Sequence, residues 1–242
     1  MIYFLVPVFN EEENIPMLAE TLSGVLPGKE KFYVIADDCS SDNSVASIEA
    51  SFPPGSFHVI TKPFNAGPGD SFNLGFEWII RHSVSPEDRI ITLEADNTSD
   101  LSILEKMYEH SVSGHELVLA SVYAEGGGFE RTSFIRKLIS FVANVSLRLI
   151  FDVRVLTLSS FYRIYHVELI SKIKARYGTI ITENGFICMV EILIKAIRLK
   201  ARVIEVPTTL LSGRRKGKSK MKIIPTMLNY IGFLTRPKFR KK

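Results

Sequence analysis

The chain opens with the stretch Ile2-Tyr3-Phe4-Leu5-Val6-Pro7-Val8-Phe9-Asn10-Glu11-Glu12-Glu13. Its first seven residues form a continuous apolar run, which is typical of a buried strand in a parallel sheet. The amide and carboxylate side chains of Asn10, Glu11, Glu12 and Glu13 follow the apolar residues directly. Apolar residues at helical spacing follow from Asn14 to Val25, with Pro16 in the first turn. A strand that leads through polar residues into a helix predicts the first unit of an α/β fold.

The same alternation continues through the first half of the chain. Further strands are predicted at residues 32–36, 57–61, 89–93 and 116–121, and helices at residues 42–50, 68–82 and 101–111. Apolar strands that alternate with helices predict a mostly parallel sheet covered by helices on both faces. Ligands of such sheets bind at the carboxyl ends of the strands.

The pattern changes after residue 121. Residues 123–132 contain Gly126-Gly127-Gly128 and are predicted to form a loop, whereas residues 134–151 have the pattern of an amphipathic helix. Core packing and contact with a membrane surface explain its apolar stripe equally well. A further strand is predicted at residues 203–211, ahead of a strongly basic segment.

The bulk composition excludes several classes of protein. Hydrophobic residues make up 46% of the 242 residues and charged residues 23%, which argues against disorder as the main state. The two cysteines, Cys39 and Cys188, are far apart and form no C-x-x-C pair. They therefore argue against a disulfide framework or a structural zinc site, and they fit a reducing cytoplasmic setting.

The charge is distributed unevenly. The net charge is +4, yet residues 213–242 hold 11 Lys or Arg and no acidic residue. Such a tail is attracted to phosphate in lipid head groups, in a nucleotide diphosphate or in nucleic acid, and a solvated tail that aids solubility is the alternative. Aromatic residues are not interleaved with the basic run, so we expect no nucleic-acid partner.

No signal peptide or membrane span is predicted. The apolar run after Met1 is too short to span a bilayer and has no basic flank. The longest uncharged stretch near the C-terminal end covers the 13 residues 223–235 and contains Pro225 and Asn229. It is too short to cross a membrane as a helix, but it could lie on one.

Carboxylates follow three of the predicted strands. Glu11 ends the first strand segment, Asp37 and Asp38 the second, and Glu94 and Asp96 the fourth. Because parallel strands end at one edge of a sheet, these groups are expected to gather there, and they repel one another unless a cation is bound. Mg²⁺ or Mn²⁺ carrying a diphosphate would supply that charge. For any single carboxylate, capping of a turn or helix is the alternative.

Four motifs follow one another along the first half. They are Val6-Pro7-Val8-Phe9-Asn10-Glu11, then Asp37-Asp38 with Ser40 and Asp42, then Asn65-x-Gly67, and the acidic-x-Asp element Glu94-Ala95-Asp96. Their order resembles the family-2 glycosyltransferases, inverting enzymes with the GT-A fold. The resemblance implies that Asp37 contacts the nucleotide base and that Glu94 and Asp96 hold the metal under the donor diphosphate. It also implies a nucleotide pocket that includes Pro7, Phe9, Glu11, Asp38, Gly67 and Ala95.

The second half narrows the resemblance. Ser159-Ser160-Phe161-Tyr162-Arg163-Ile164-Tyr165, the segment 186–196 with Glu191, and Glu205-Val206-Pro207 followed by Arg214-x-x-Gly217-x-Ser219-Lys220 are similar to polyprenyl-phosphate sugar transferases such as the dolichyl-phosphate mannosyltransferases. This resemblance implies catalytic roles for Asp96, Arg163, Arg214 and Lys220 and a nucleotide contact for Ser219. It implies a catalytic domain over residues 1–221 and a basic amphipathic tail over residues 222–242.

The expected function follows from this resemblance. It is transfer of a hexose, mannose or glucose, from a nucleotide-diphosphate sugar to polyprenyl phosphate with inversion. That acceptor is already anionic, whereas a sugar hydroxyl needs a carboxylate base, for which Glu183 is the nearest candidate. The alternatives are transfer to a cell-surface glycan or glycolipid, and a non-catalytic nucleotide-binding subunit.

Three positions depart from the family pattern. Glu94 replaces the usual Asp, Thr98 a common Gln, and Val122 a usual Arg, which leaves the metal preference and the donor open. We expect the protein on the cytoplasmic face of a membrane, held peripherally by its amphipathic segments or through a separate membrane subunit.

Overall fold

The computed structural model describes residues 1–132, 134–217, 229–230 and 232–233. The strands of this described part are β1 (Ile2–Val8), β2 (Lys31–Asp37), β3 (Phe57–Thr61), β4 (Arg89–Thr92), β5 (Leu117–Ser121), β6 (Gly128–Glu130), β7 (Arg163–His166), β8 (Val203–Pro207) and β9 (Thr209–Leu211). Its helices are α1 (Ile15–Gly24), α2 (Ser44–Ser51), α3 (Pro68–His82), α4 (Leu104–Val112), α5 (Phe134–Phe151), α6 (Val167–Tyr177) and α7 (Cys188–Arg198). Short 3-10 turns cover Leu101–Ile103 and Ser212–Arg214.

Seven strands form the main sheet in the order β3-β2-β1-β4-β7-β5-β8. Every neighbouring pair is parallel except the two pairs that contain β7, which runs antiparallel to β4 and β5. The structure therefore confirms the predicted α/β class with a mostly parallel sheet. Parallel pairing of β1 with β2 and β4 brings the carboxyl ends of these three strands to one edge.

Helices cover both faces of this sheet. Alternate residues of β1 point to opposite sides, so that Tyr3 and Leu5 join one apolar cluster and Phe4 and Val6 the other. The first cluster is completed by apolar residues of α3, α6 and α7, and the second by residues of α1, α2 and α4. Burial on both faces explains why β1 appears in the sequence as an unbroken apolar run.

Several elements differ from the sequence-based expectation. Strand β7 and helix α6 were not predicted, because β7 is only four residues long and begins and ends with Arg163 and His166. The strand expected at residues 203–211 is divided into β8 and β9 after Pro207, which has no N–H to continue a ladder. Strand β9 pairs instead with β6, which lies within the segment that was expected to be a loop.

Most of the described side chains in the apolar stripe of helix α5 are exposed. Phe134, Phe141, Val142 and Leu149 are exposed, whereas Leu147 is buried in the core. The stripe therefore faces away from the core along most of its described length. In the part of the chain that the structure covers, no helix combines the length and the apolar character that a membrane crossing needs.

The predicted boundary at residue 221 and the residues Ser219 and Lys220 lie outside the described residues. Within the predicted tail, Phe233 is fully buried, and its ring lies 5.5 Å from that of Phe151 between centroids. Tyr230 packs against the same core cluster. This described part of the tail thus packs on the body of the protein.

Helix α3 approaches its neighbours closely through glycines. The N–H of Gly69 donates to the carbonyl of Asn184 at 2.7 Å. A Cβ on Gly69 would lie 1.8 Å from the Glu183 carbonyl oxygen, and one on Gly75 would lie 2.1 Å from a methyl group of Leu5. These positions therefore set how closely α3 packs on β1 and on the segment before α7.

Gly69→Ala is accordingly expected to lower the free energy of unfolding by about 2–3 kcal/mol, because the backbone must move to admit the methyl group. Gly24→Ala is the matched control, since a Cβ there meets nothing within 4 Å. It should leave stability unchanged or raise it by about 0.5–1 kcal/mol. Urea unfolding of both variants measures the difference, and equal stability of the two would contradict the close packing of α3.

Candidate active site at the carboxyl ends of the strands

A cavity of about 750 Å³ opens where the strands of the main sheet end. The loops after β1, β2 and β4 supply one wall, and α5 with the segments before β7 and α7 supply much of the other. The residues of the predicted site that line it are Pro7, Phe9, Glu11, Asp38, Gly67, Glu94, Ala95 and Asp96. The structure thus brings most of the nucleotide and metal residues predicted from the sequence into one cleft.

The chain turns sharply beside this cavity. Asn10, Cys39 and Asn97 adopt left-handed backbone conformations, with φ of 55°, 61° and 61°. Asn10 and Cys39 lie two residues past the ends of β1 and β2, and Asn97 directly follows Asp96 in the loop after β4. Non-glycine residues in this conformation are uncommon and cluster at functional sites, where surrounding contacts hold them.

Glu94 and Asp96 lie next to each other along the cavity wall. Asp96 accepts hydrogen bonds from the Thr98 N–H at 3.1 Å and from the Thr98 hydroxyl at 2.6 Å. The Ser99 hydroxyl donates to Glu94 at 3.1 Å. Burial and the charge of Asp96 together raise the pKa of Glu94 to about 7. The pair therefore concentrates negative charge that the protein alone neutralises only in part.

The counter-charge comes from Arg215. Its Nε donates to Asp96 Oδ2 at 2.6 Å, and its guanidinium also forms a salt bridge with the same oxygen. Arg214, which was predicted from the sequence, is exposed and does not line the large cavity. It lies instead beside a small pocket with Met17 and Leu93. In this structure Arg215, and not Arg214, is the cation paired with Asp96, and the catalytic role expected for Arg214 stays a prediction.

The donor set at Glu94 and Asp96 suits a hard divalent cation. Two carboxylates supply oxygen ligands of the kind that Mg²⁺ and Mn²⁺ prefer. Among the described residues, no group of three or more His, Cys, Asp or Glu side chains could hold a metal ion. A metal bound here would therefore complete its coordination with diphosphate oxygens and water, which is the usual arrangement for Mg²⁺ with a phosphate ligand.

Asp38 is engaged by the protein itself. Its two carboxylate oxygens accept from the backbone N–H groups of Ala66 and Gly67, each at 2.8 Å, and Lys62 Nζ lies 2.6 Å away. These bonds fix the loop that leads into α3. Asp38 therefore holds this loop and also lines the cavity, and its contact with a nucleotide stays a prediction.

Asp37 lies behind the wall. Its side chain is almost fully buried and accepts from the Ser40 N–H at 3.2 Å. It is not among the residues that line the cavity. The base contact that the sequence predicts for Asp37 stays a prediction, while its neighbour Asp38 reaches the cavity.

The opposite wall is made of hydroxyls, amides and aromatic rings. Ser140 and Asn144 come from α5, and Phe161 stacks on Phe186 with ring centroids 5.4 Å apart. Burial raises the pKa of Tyr230, also part of this wall, to about 12, so its hydroxyl stays protonated. Glu183 is buried and does not line the cavity, whose wall at this point is formed by Gly185 and Phe186.

The sequence model of Glycosyl transferase family 2 matches residues 3–174. The chain belongs to this family. The predicted membership is therefore confirmed, and the cavity is the candidate active site of a family-2 glycosyltransferase.

Relatives of this glycosyltransferase include several lipid-phosphate mannosyltransferases. A polyprenol monophosphomannose synthase from Mycolicibacterium smegmatis is 26% identical over 219 residues, which cover 90% of this chain and 79% of that protein. An undecaprenyl-phosphate mannosyltransferase from Micrococcus luteus is also 26% identical, over 90% of this chain and 86% of that protein. A dolichol-phosphate mannosyltransferase from Pyrococcus furiosus is 27% identical over 90% of this chain, but the match spans only 58% of that protein.

Solved structures support the GT-A fold of this glycosyltransferase. Glucosyl-3-phosphoglycerate synthase from Mycobacterium tuberculosis, in a complex with Mn²⁺, UDP-glucose and glycerol 3-phosphate, superposes with a TM-score of 0.65. The alignment covers 96% of this chain and 76% of that one at 14% identity. Likeness at this identity shows the shared fold alone.

Arg163 of this glycosyltransferase is not among the residues that line the cavity. It is fully buried and donates to the backbone carbonyls of Ser160 at 2.7 Å, Leu158 at 2.6 Å and Met189 at 2.8 Å. In this structure neighbouring carbonyl oxygens take up the guanidinium, and the catalytic role expected for Arg163 stays a prediction. Arg163 holds the segment that contributes Ser159, Ser160 and Phe161 to the cavity wall.

The raised pKa of Glu94 predicts that the apparent affinity for Mn²⁺ increases between about pH 6 and pH 8. Below a pKa of about 7 the side chain carries a proton and is a poor ligand, and above it the carboxylate is free to bind. Titration of Mn²⁺ by calorimetry at the two pH values measures the change. Glu94→Gln should weaken binding and reduce the pH dependence, and equal affinity of the wild type at both values would contradict the prediction.

Proposed function

We propose that this glycosyltransferase transfers a hexose, mannose or glucose, from a nucleotide-diphosphate sugar to a polyprenyl phosphate with inversion. The observation that carries the proposal is the division of one cavity into two chemically different walls. Glu94, Asp96 and Arg215 give one wall charged groups suited to a metal-bound diphosphate, and the other wall offers hydroxyls and rings with no carboxylate among its described residues.

The charged wall suits the donor. Pro7, Phe9 and Glu11 line the end of the cavity at β1, where a nucleoside would lie next to the carboxylate pair. Glu94 and Asp96 would hold Mg²⁺ or Mn²⁺, which when bound neutralises the diphosphate. Arg215 is positioned to stabilise the negative charge that grows on the diphosphate as it leaves.

The uncharged wall suits an acceptor that is already anionic. A phosphate oxygen can displace the diphosphate at the anomeric carbon without first losing a proton, and one such displacement inverts that carbon. A sugar hydroxyl would need a carboxylate base at this wall, and Glu183 lies behind Gly185 and Phe186. This placement favours polyprenyl phosphate over a glycan acceptor.

The relatives also support a polyprenyl phosphate as the acceptor. The three mannosyltransferases mentioned above are named for a polyprenol or a polyprenyl-type phosphate. Mannose is therefore the first donor sugar to test, with glucose as the second. The presence of UDP-glucose in the structural neighbour makes the uridine donor a useful comparison.

A product assay tests the proposal. The purified chain is given Mn²⁺, labelled GDP-mannose or UDP-glucose, and either a short polyprenyl phosphate or the same polyprenol without phosphate. We expect a lipid-linked sugar with the phosphate acceptor alone. Product on a glycan or diacylglycerol, and none on polyprenyl phosphate, would overturn the proposed acceptor.

A polyprenyl acceptor also implies contact with a bilayer surface. The outer face of α5 presents Phe134, Phe141 and Leu149 to solvent at 77%, 53% and 78% exposure. Apolar side chains on a basic amphipathic helix are the usual means of lying in a membrane interface. We include peripheral attachment, directly or through a membrane subunit, in the proposal.

Flotation with anionic liposomes tests this attachment. The double variant Phe141→Ser, Leu149→Ser is expected to lower the apparent affinity for the liposomes by about 100-fold or more, since each buried apolar side chain contributes roughly 1.5–3 kcal/mol. Val84→Ser with Val112→Ser is the control, because these valines are 90% and 61% exposed elsewhere on the surface. Absence of binding by the wild type at both low and high salt would remove direct attachment.

A further inference from the structure

The side-chain amide of Asn14, near the start of the sequence, forms hydrogen bonds with the basic segment that contains Arg215 and Lys216. Asn14 lies just before α1 and is 2% exposed. Its Nδ2 donates to the Lys216 carbonyl at 3.0 Å, and its Oδ1 accepts from the Lys216 N–H at 2.9 Å. The carboxamide thus pairs with both backbone groups of a residue 202 positions away.

The same amide is bound to the nucleoside end of the cavity. Asn14 Nδ2 also donates to Glu11 Oε2 at 2.6 Å. The backbone carbonyl of Asn14 accepts from Asn97 Nδ2 at 2.9 Å. Asn97 directly follows Asp96 in the sequence. Asn14 therefore contacts the loop after β1, the loop after β4 and the basic segment at once.

We propose that Asn14 is a positioning residue, which holds residues 215–216 against the cavity and so keeps the Arg215 guanidinium on Asp96. The inference rests on the proposed function, because it assigns Arg215 to the charge of the leaving diphosphate. Fixed charges stabilise a transition state best when they do not have to be gathered during the reaction.

Only an amide satisfies the three side-chain bonds. Asn provides one acceptor oxygen and two N–H donors, which match the Lys216 N–H, the Lys216 carbonyl and the Glu11 carboxylate. Asp of the same shape can accept from the Lys216 N–H, but it cannot donate to either oxygen and brings its charge against Glu11. Asn14→Asp therefore removes the tie with little change in volume. Because Asp is as good a residue as Asn before a helix, α1 keeps its start.

Limited trypsin digestion tests the tie without reference to activity. Mass spectrometry follows cleavage after Arg214, Arg215 and Lys216, which we expect to become at least about fivefold faster in Asn14→Asp, since local opening governs such cleavage. The matched control is Asn43→Asp, the same change at the exposed residue before α2, which should match the wild type. Unchanged cleavage in Asn14→Asp would overturn the proposal.

A double-mutant cycle tests whether Asn14 acts through Arg215. In the wild-type background, Asn14→Asp is expected to lower kcat/KM by about tenfold or more, mainly in kcat. In an Arg215→Ala background the same change should have less than about a twofold effect, because the group it positions is gone. Equal losses in both backgrounds would show a merely structural role and overturn the proposal.

A second variant and a melting experiment distinguish loss of the Asn14 hydrogen bonds from a failure to fold. Asn14→Ser, which retains a good helix-capping residue but is too short to reach Lys216, should reproduce the trypsin and kinetic results. If Asn14→Asp fails to fold in a melting experiment, Asn14→Ser decides in its place. Absence of any sugar transfer by the wild type would overturn the proposed function, whereas the cleavage rates would still decide whether Asn14 ties the basic segment.

Discussion

Asp96→Asn is expected to lower kcat/KM for sugar transfer by about 10²–10³-fold, because it removes a negative charge from the proposed metal and donor site. The substitution keeps the size of the side chain but leaves Arg215 without its ionic partner and Glu94 as the remaining carboxylate of the pair. Initial rates with saturating Mn²⁺ and labelled donor, in the presence of polyprenyl phosphate, provide the measurement. Hydrolysis of the donor in the absence of acceptor should fall in parallel.

Glu105→Gln is the control for this loss. Glu105 is an exposed carboxylate in the first turn of α4, and it does not line the cavity. Its removal should leave kcat/KM within about twofold of the wild type, since surface substitutions of this kind have small effects. An Asp96→Asn enzyme that remained as active as Glu105→Gln would rule out the proposed role of the pair. A wild type that binds donor without turning it over would favour the non-catalytic alternative.

Lys195→Met is expected to lower the free energy of unfolding by about 3–5 kcal/mol, the cost of leaving one buried charge without its partner. Lys195 Nζ lies 2.7 Å from Glu191 Oε1, and both side chains are almost completely buried. The Lys195 ammonium also donates to the carbonyls of Thr179 and Ile180. Removing it therefore leaves the Glu191 carboxylate and two carbonyls without a cation.

The matched control is Lys172→Met. Lys172 pairs with Glu168 at 3.0 Å in the same i,i+4 arrangement, but both side chains are about half exposed. Its loss should change stability by about 0.5 kcal/mol or less, because exposed pairs contribute little. Urea unfolding of both variants makes the comparison. Similar losses would mean that burial of the Glu191–Lys195 pair does not have the expected cost.

The buried pair also supports the cavity. Glu191 accepts from the Thr182 N–H at 2.9 Å and from the Glu183 N–H at 2.8 Å, and so fixes the chain just before Gly185 and Phe186. The sequence singled out Glu191 by resemblance alone, as part of the segment 186–196. Its place in a charged contact beneath the cavity wall is visible only in three dimensions.

Local patterns predicted much of the fold. The bounds of β1, β3, α3 and α5 agree with the sequence-based expectation, because apolar periodicity and flanking turn residues are properties of neighbouring positions. Strand β7 could not be found in this way. Its polar ends are buried because carbonyls from distant segments accept from Arg163 and His166, and no local pattern reports such partners.

The site residues, like the strands, could be predicted where local sequence determines their position and not where long-range contacts do. Residues just after β1 and β4 reach the cavity because parallel strand ends must share an edge. The choice between Arg214 and Arg215, in contrast, depends on how a short 3-10 turn directs adjacent side chains. Asn14 was predicted only as the start of a helix, since its bonds to Lys216 join segments 202 residues apart.

Helix α5 separates two environments by its own thickness. Its outer side carries Phe141 and Leu149, and its inner side places Ser140 and Asn144 in the cavity wall. An α-helix with its side chains is only about 10–12 Å across. If the acceptor is the proposed polyprenyl phosphate, its hydrocarbon tail would lie in the membrane against the exposed side of α5, and its phosphate would enter the cavity on the other side of the same helix.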